Sequence, residues 1–98
     1  MLKVIAEHYI KPEYIETVLP LYKELLKSTK SEKDCISYDL YIDKNDHRHF
    51  IFIEEWPDEA ALEQHTQTDH FTRLIPQIEQ YHQETGRMTF MNQTVTPD

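Results

Sequence analysis

The segment from Ile53 to Phe71 holds most of the residues in this chain that could do chemistry. Ile53-Glu54-Glu55-Trp56 reads as a strand end. Pro57-Asp58-Glu59 turns into a helix carrying His65, and Thr68-Asp69-His70-Phe71 opens another. A large flat ring and two imidazoles thus fall at element ends, where pockets tend to form. Trp56 can wall such a pocket and stack on a planar ligand, or it can simply close the end of the core.

His65 and His70 are candidate general bases, because an unperturbed imidazole titrates near neutral pH. On one continuous helix their spacing would turn them about 140° apart, so the i, i+4 pattern of paired metal-binding histidines is not met. A helix break near Thr68 would bring them together. No Cys pair and no carboxylate at ligand spacing accompany them, so no metal site is expected. His65 shares a side with Ala61 and Leu62 and should point inward. His70, His47, His49 and His82 read as surface residues. His8 shares a strand face with Val4 and Ala6, either lining a cavity or sitting at the strand's end.

Glu54 and Glu55 close an apolar strand, so alternation turns one of them inward. An inward carboxylate needs a partner or a raised pKa. Arg48, Arg73 and Arg87 are available for an ion pair; a catalytic acid is the sharper alternative. The carboxylates at 32, 34, 39 and 43 read as solvated faces. Ser28, Ser31 and Ser37 lie beside no evident base.

These groups need a scaffold. Leu2 to Ile10 alternates as a strand, apolar on parts of both faces. Pro12 opens a helix with a stripe of Ile15, Val18, Leu19, Tyr22, Leu25 and Leu26. Pro20 inside that stripe should kink the helix, or the helix starts later. Ile36, Tyr38, Leu40 and Ile42 form the buried face of a second strand. Lys44 to His47 make a turn, and Arg48 to Trp56 return antiparallel. Asp58 and Thr68 are N-caps of two short helices. Phe71, Leu74, Ile75, Ile78 and Tyr81 stripe the second, which Pro76 disturbs and Gly86 stops. Arg87 to Val95 reads as a last strand.

The order is therefore β-α-β-β-α-β with the second helix broken in two, the ferredoxin-like pattern. A four-stranded antiparallel sheet with helices on one face leaves its other face bare. Two-sided apolar strands point to a second copy as the cover.

The 98 residues suit one domain, and so short a chain buries a modest share of its surface. The net charge of -8 argues against nucleic acid and anionic membranes. The single Gly excludes glycine-rich phosphate loops. The lone Cys35 cannot pair internally, and no apolar segment or leader pattern is visible. A cytoplasmic protein with a structural thiol is expected.

Taken in order, these pieces resemble the antibiotic biosynthesis monooxygenase family, and within it the small quinol-monooxygenase-like proteins. The similarity runs through Leu2-Lys3-Val4-Ile5-Ala6-Glu7, Cys35-Ile36-Ser37-Tyr38-Asp39-Leu40-Tyr41, Phe52-Ile53-Glu54-Glu55-Trp56, Ala60-Ala61-Leu62-Glu63-Gln64-His65 and Thr68-Asp69-His70-Phe71. It covers residues 1–98 as one domain. The resemblance implies a homodimeric α+β barrel with a pocket between sheet and helices. It also implies oxidation of quinol- or anthrone-like hydroxylated aromatics by molecular oxygen, without metal, flavin or haem. By position it implies His65 as base, Trp56 and Phe71 as ring contacts, and Tyr38 and His70 as orienting donors. Asp34 stands where members usually carry Gly. Arg73-Leu74-Ile75 offers no iron-binding His, and Glu7-His8 replaces the first-strand Asn of the haem-degrading branch, so haem degradation is not expected. The same fold serves small-molecule isomerases and binding modules, which is the alternative reading.

Overall fold

The computed structural model describes residues 1–98. Strand β1 spans Leu2–Ile10 and is followed by a single 3-10 turn at Pro12–Tyr14. Helix α1 covers Ile15–Lys30. Strands β2 (Ser37–Asp43) and β3 (Asp46–Trp56) form a hairpin. Helices α2 (Glu59–Thr66) and α3 (Asp69–Glu79) precede strand β4 (His82–Met91). The sheet order is β2-β3-β1-β4, with every neighbouring pair antiparallel. The expected α+β ferredoxin-like architecture is thus present.

Register decides which residues meet beneath the helices. Tyr38, Glu54, Val4 and Phe90 stand in one row across the sheet, and Leu40, Phe52, Ala6 and Met88 in the next. His8 lies opposite Phe50 one row further on. These inward positions pack against Val18, Tyr22 and Leu25 of α1 and Leu74 and Ile78 of α3, all buried. The alternate positions Ile5, Ile51 and Ile53 are half-buried on the outer face, beside exposed Tyr41.

Helix α1 starts at Ile15, after the turn that Pro12 opens, and runs through Pro20. Pro20 is on the exposed side, where water can satisfy the carbonyl it leaves free. Leu19, assigned to the buried stripe by spacing, is exposed instead. Ile36 and Ile42 are likewise exposed. Ile36 precedes β2, and Ile42 ends an edge strand beyond the cover of the helices.

The C-terminal part departs furthest from expectation. Helix α3 ends at Glu79, and Gly86 lies inside β4 rather than stopping a helix. The β1–β4 register shifts twice between Glu7 and Ile10, opposite this stretch. A Cβ at Gly86 would stand 2.5 Å from the Glu7 carbonyl oxygen, so only glycine lets the strands approach this closely. No helix is long and apolar enough to cross a membrane.

Candidate active site

The break between α2 and α3 builds the site. Asp58 caps α2 by accepting from the Ala61 N–H at 2.9 Å. Thr68 caps α3, accepting from Phe71 N–H, while its own hydroxyl donates to the His65 carbonyl at 2.7 Å. One threonine thus ends the first helix and starts the second. The chain turns at Gln67-Thr68, and His65 and His70 come within 6.1 Å, centroid to centroid.

Glu32, in the loop after α1, joins them. Its Oε2 lies 2.7 Å from His65 Nδ1 and 2.7 Å from His70 Nε2. An ionised carboxylate only accepts, so both of these nitrogens donate. The His65 Nε2 then carries the lone pair, and it has no partner within the chain and is not sealed off. Burial lowers the His65 pKa most strongly, against the opposing pull of Glu32, so the ring is neutral at neutral pH. Reading Glu32 as a solvated carboxylate is corrected: its side chain is only 15% exposed. The expectation that no carboxylate accompanies the two histidines falls with it. The three donor atoms lie within 4.8 Å of one another, and two imidazoles with a carboxylate suit a transition metal. Here they satisfy each other by hydrogen bonds.

Four aromatic neighbours fix the His65 ring. Trp56 lies at 4.7 Å, Phe71 at 5.0 Å, Tyr38 at 5.5 Å and His70 beyond them. Trp56 is fully enclosed and does not line the cavity; it supports His65 and Glu54 from behind. His70 also lies outside the lining, and Tyr38, Phe71 and His65 are part of it.

The cavity itself measures about 360 Å³, the size of a small-ligand pocket. Phe52, Leu62, Phe71, Ile75, Met88 and Phe90 give it apolar walls. Met88 and Phe90 belong to the inner face of edge strand β4 yet are more than half exposed, which marks the mouth.

Glu54 is the inward member of its pair, and Glu55 accepts from Ser37 on the other side. No arginine reaches Glu54: Arg48 pairs with Asp46 and Arg73 with Glu24. Its one partner is the Trp56 indole N–H, which donates to Oε1 at 3.0 Å. Burial pushes the Glu54 carboxyl up to about 7, with the Glu32 charge adding to the shift and the indole opposing it. The structural ion pair expected for this position is absent, and a carboxylic acid poised near neutrality stands in the cavity wall.

His8, for which cavity lining and a strand end were the alternatives, lines the cavity, and so does His82, which reads from sequence as a surface residue. His8 Nδ1 is 2.7 Å from the Tyr22 hydroxyl, and the His82 ring lies tilted against that of His8, centroids 4.7 Å apart. His49 is not a free surface residue either. It is held on the outer sheet face between Glu7 and Asp43, at 2.8 and 3.0 Å. His47 is exposed, as expected. Neither Glu32 nor His82 carried a local signal, since each acquires its neighbours only through the fold.

Such a chain, a ferredoxin-like sheet with an apolar cavity under its helices and a carboxylate-held imidazole in the wall, defines a class of small α+β proteins. The family model for "Antibiotic biosynthesis monooxygenase" matches residues 1–77, and the chain belongs to that family. A crystal structure of an antibiotic biosynthesis monooxygenase is 52% identical, with a TM-score of 0.95, over 97% of this chain and 100% of that one. A Bacillus subtilis (strain 168) protein named "Putative monooxygenase YcnE" is 33% identical over 74% of this chain and 78% of its own length. An uncharacterized Synechocystis protein is 35% identical over 67% of this chain, a match that spans only 45% of that relative.

Proposed function

We propose that this protein is a cofactor-independent monooxygenase that oxidises a quinol- or anthrone-like hydroxylated aromatic with molecular oxygen. The observation that carries this reading is the His65 ring: neutral, anchored through Nδ1 to Glu32, with Nε2 free in the wall of an apolar cavity.

In this reading Nε2 takes the phenolic proton of the bound aromatic, or the enol proton of an anthrone. The resulting anion gives one electron to oxygen. The aryloxyl and superoxide radicals combine at the ring carbon that becomes a carbonyl, and a proton completes the hydroperoxide. Where that carbon carries a hydrogen, as in an anthrone or at an unsubstituted ring position of a quinol, loss of the hydrogen as a proton and cleavage of the O–O bond leave a carbonyl and water. One oxygen atom thus enters the product and the other leaves as water, with all four electrons supplied by the substrate. Glu54, which still holds its proton in part of the population near neutral pH, supplies the proton that the departing hydroxide requires. The apolar walls strengthen each of these charge contacts by excluding water. Phe71 and Tyr38 contact the substrate ring; Trp56 and His70 act through Glu54 and Glu32.

The bare outer face, with Ile5, Ile51, Ile53 and Tyr41, is covered by a second copy in this reading.

Oxygen uptake tests the reaction. With chelator present, the protein should consume one oxygen per anthrone or quinol oxidised. No uptake above the uncatalysed rate across a panel of such compounds would overturn it.

A further inference from the structure

The cavity has a second polar end, remote from His65 and Glu54. His8 is opposite Phe50 on the sheet, four residues along β3 from Glu54. That separates the two ends by about 13 Å along the strand direction. His8 Nε2 has no partner within the chain and is not sealed off, while His8 Nδ1 is held by Tyr22. His82 packs against His8, and its Nε2 is enclosed without any partner. An enclosed polar atom left unpaired costs about 1–3 kcal/mol; an oxygen arriving at this end meets the accessible His8 Nε2 directly and satisfies His82 Nε2 once that ring turns toward it.

We propose that His8 and His82 form a recognition site for a second, uncharged oxygen of the ligand, a hydroxyl or carbonyl at the end opposite the group that meets His65. The site rests on the same cavity as the proposed reaction and specifies what else its substrate must carry. Several observations select a neutral group. Burial, with the neighbouring His82, holds the His8 pKa down at about 3, so the ring offers no cation. Burial lowers His82 as well. Exposed Glu79, at the rim beside His82, repels an anion. Arg87 borders the cavity beside Gly86, but its position opposite Glu7 turns its exposed side chain to the outer face of the sheet. A carboxylate or phosphate at this end would be buried without a counter-charge.

The test uses binding without turnover. Affinities of 2,6-dihydroxynaphthalene, 2-naphthol and 6-hydroxy-2-naphthoate are measured by calorimetry under nitrogen. The dihydroxy compound should bind about tenfold more tightly than 2-naphthol, as one or two extra neutral hydrogen bonds allow. The carboxylate should bind no better than 2-naphthol. In His8→Phe/Tyr22→Phe, which leaves no orphaned hydroxyl, the advantage of the second hydroxyl should vanish while 2-naphthol affinity stays. His82→Phe should reduce the advantage and His82→Gln retain most of it. Equal affinities in the unmodified protein, failure of both naphthols to bind, preferential binding of the carboxylate, or an advantage that survives the double substitution would each overturn the assignment. Oxygen uptake plays no part in this measurement, so a protein that binds as stated but consumes no oxygen contradicts the proposed reaction alone.

Discussion

Glu32 Oε2 sits 2.7 Å from His65 Nδ1, across 33 residues of sequence, and this contact fixes which nitrogen of His65 is free. The carboxylate selects the tautomer and resists loss of the ring's alignment, while the aromatic neighbours restrict its rotation. Glu32→Gln should therefore lower kcat by about 10- to 100-fold, equivalent to losing one charge-assisted hydrogen bond. The pH dependence gives a second reading. Glu32 raises the His65 pKa against burial, so its removal should move the acid limb of the rate profile to lower pH. A rate loss with no shift of that limb would separate Glu32 from the base.

His65→Ala should reduce turnover by about 10²- to 10⁴-fold, the usual range for one positioned base. His70→Ala should have a smaller effect, because His70 meets the cavity only through Glu32. Steady-state oxygen consumption of both variants, beside their melting temperatures, separates chemistry from folding.

Glu54 links stability to pH. Its folded pKa, about 7, exceeds the ordinary value of 4.5. The folded state therefore holds the proton more tightly than the unfolded chain does. Stability from this group is fully present below about pH 4.5 and is lost as pH rises toward 7. Glu54→Gln, which can still accept from the Trp56 indole, should raise stability by about 1–3 kcal/mol above pH 7 and change little near pH 4. Urea unfolding at the two pH values measures the difference. The same variant should slow turnover if the carboxyl supplies a proton.

Much of the scaffold was legible because alternation and helical spacing are local. The succession of elements along the chain, both N-caps and the inward turn of His65 follow from residues within a few positions of each other. The site was legible only in part. Trp56, Tyr38, Phe71 and His65 do gather, but Trp56 stands behind the His65 ring and outside the cavity lining. Glu32 was assigned to solvent because its loop is polar, and no local pattern reveals that α1 delivers it to the α2–α3 junction. His82 reads from sequence as a partly exposed helix-end residue, whereas it opens β4, a strand that local spacing starts only at Arg87. Gly86 answers instead to the Glu7 carbonyl on a neighbouring strand, a contact that only pairing reveals.

Gly86→Ala tests that account of β4. The added methyl would sit 2.5 Å from the Glu7 carbonyl oxygen, backbone that cannot rotate away. A loss of about 1–3 kcal/mol is expected, measurable by thermal or denaturant unfolding. An unchanged stability would show that β1 and β4 part easily at the bulge.

The outer sheet face offers a separate check. Ile51→Glu with Ile53→Glu should convert a dimer to a monomer in analytical ultracentrifugation, since each would bury a charge at the paired surface. A monomer before substitution would remove the need for a covering partner.

The most direct test of the base is the protonation of the His65 ring itself. Two-bond ¹⁵N–¹H correlation spectra at pH 7, assigned with His65→Gln, report each nitrogen separately. A proton on Nδ1 and a bare Nε2 is the predicted state. A proton on Nε2, or on both nitrogens, would leave no lone pair facing the cavity and would contradict the mechanism.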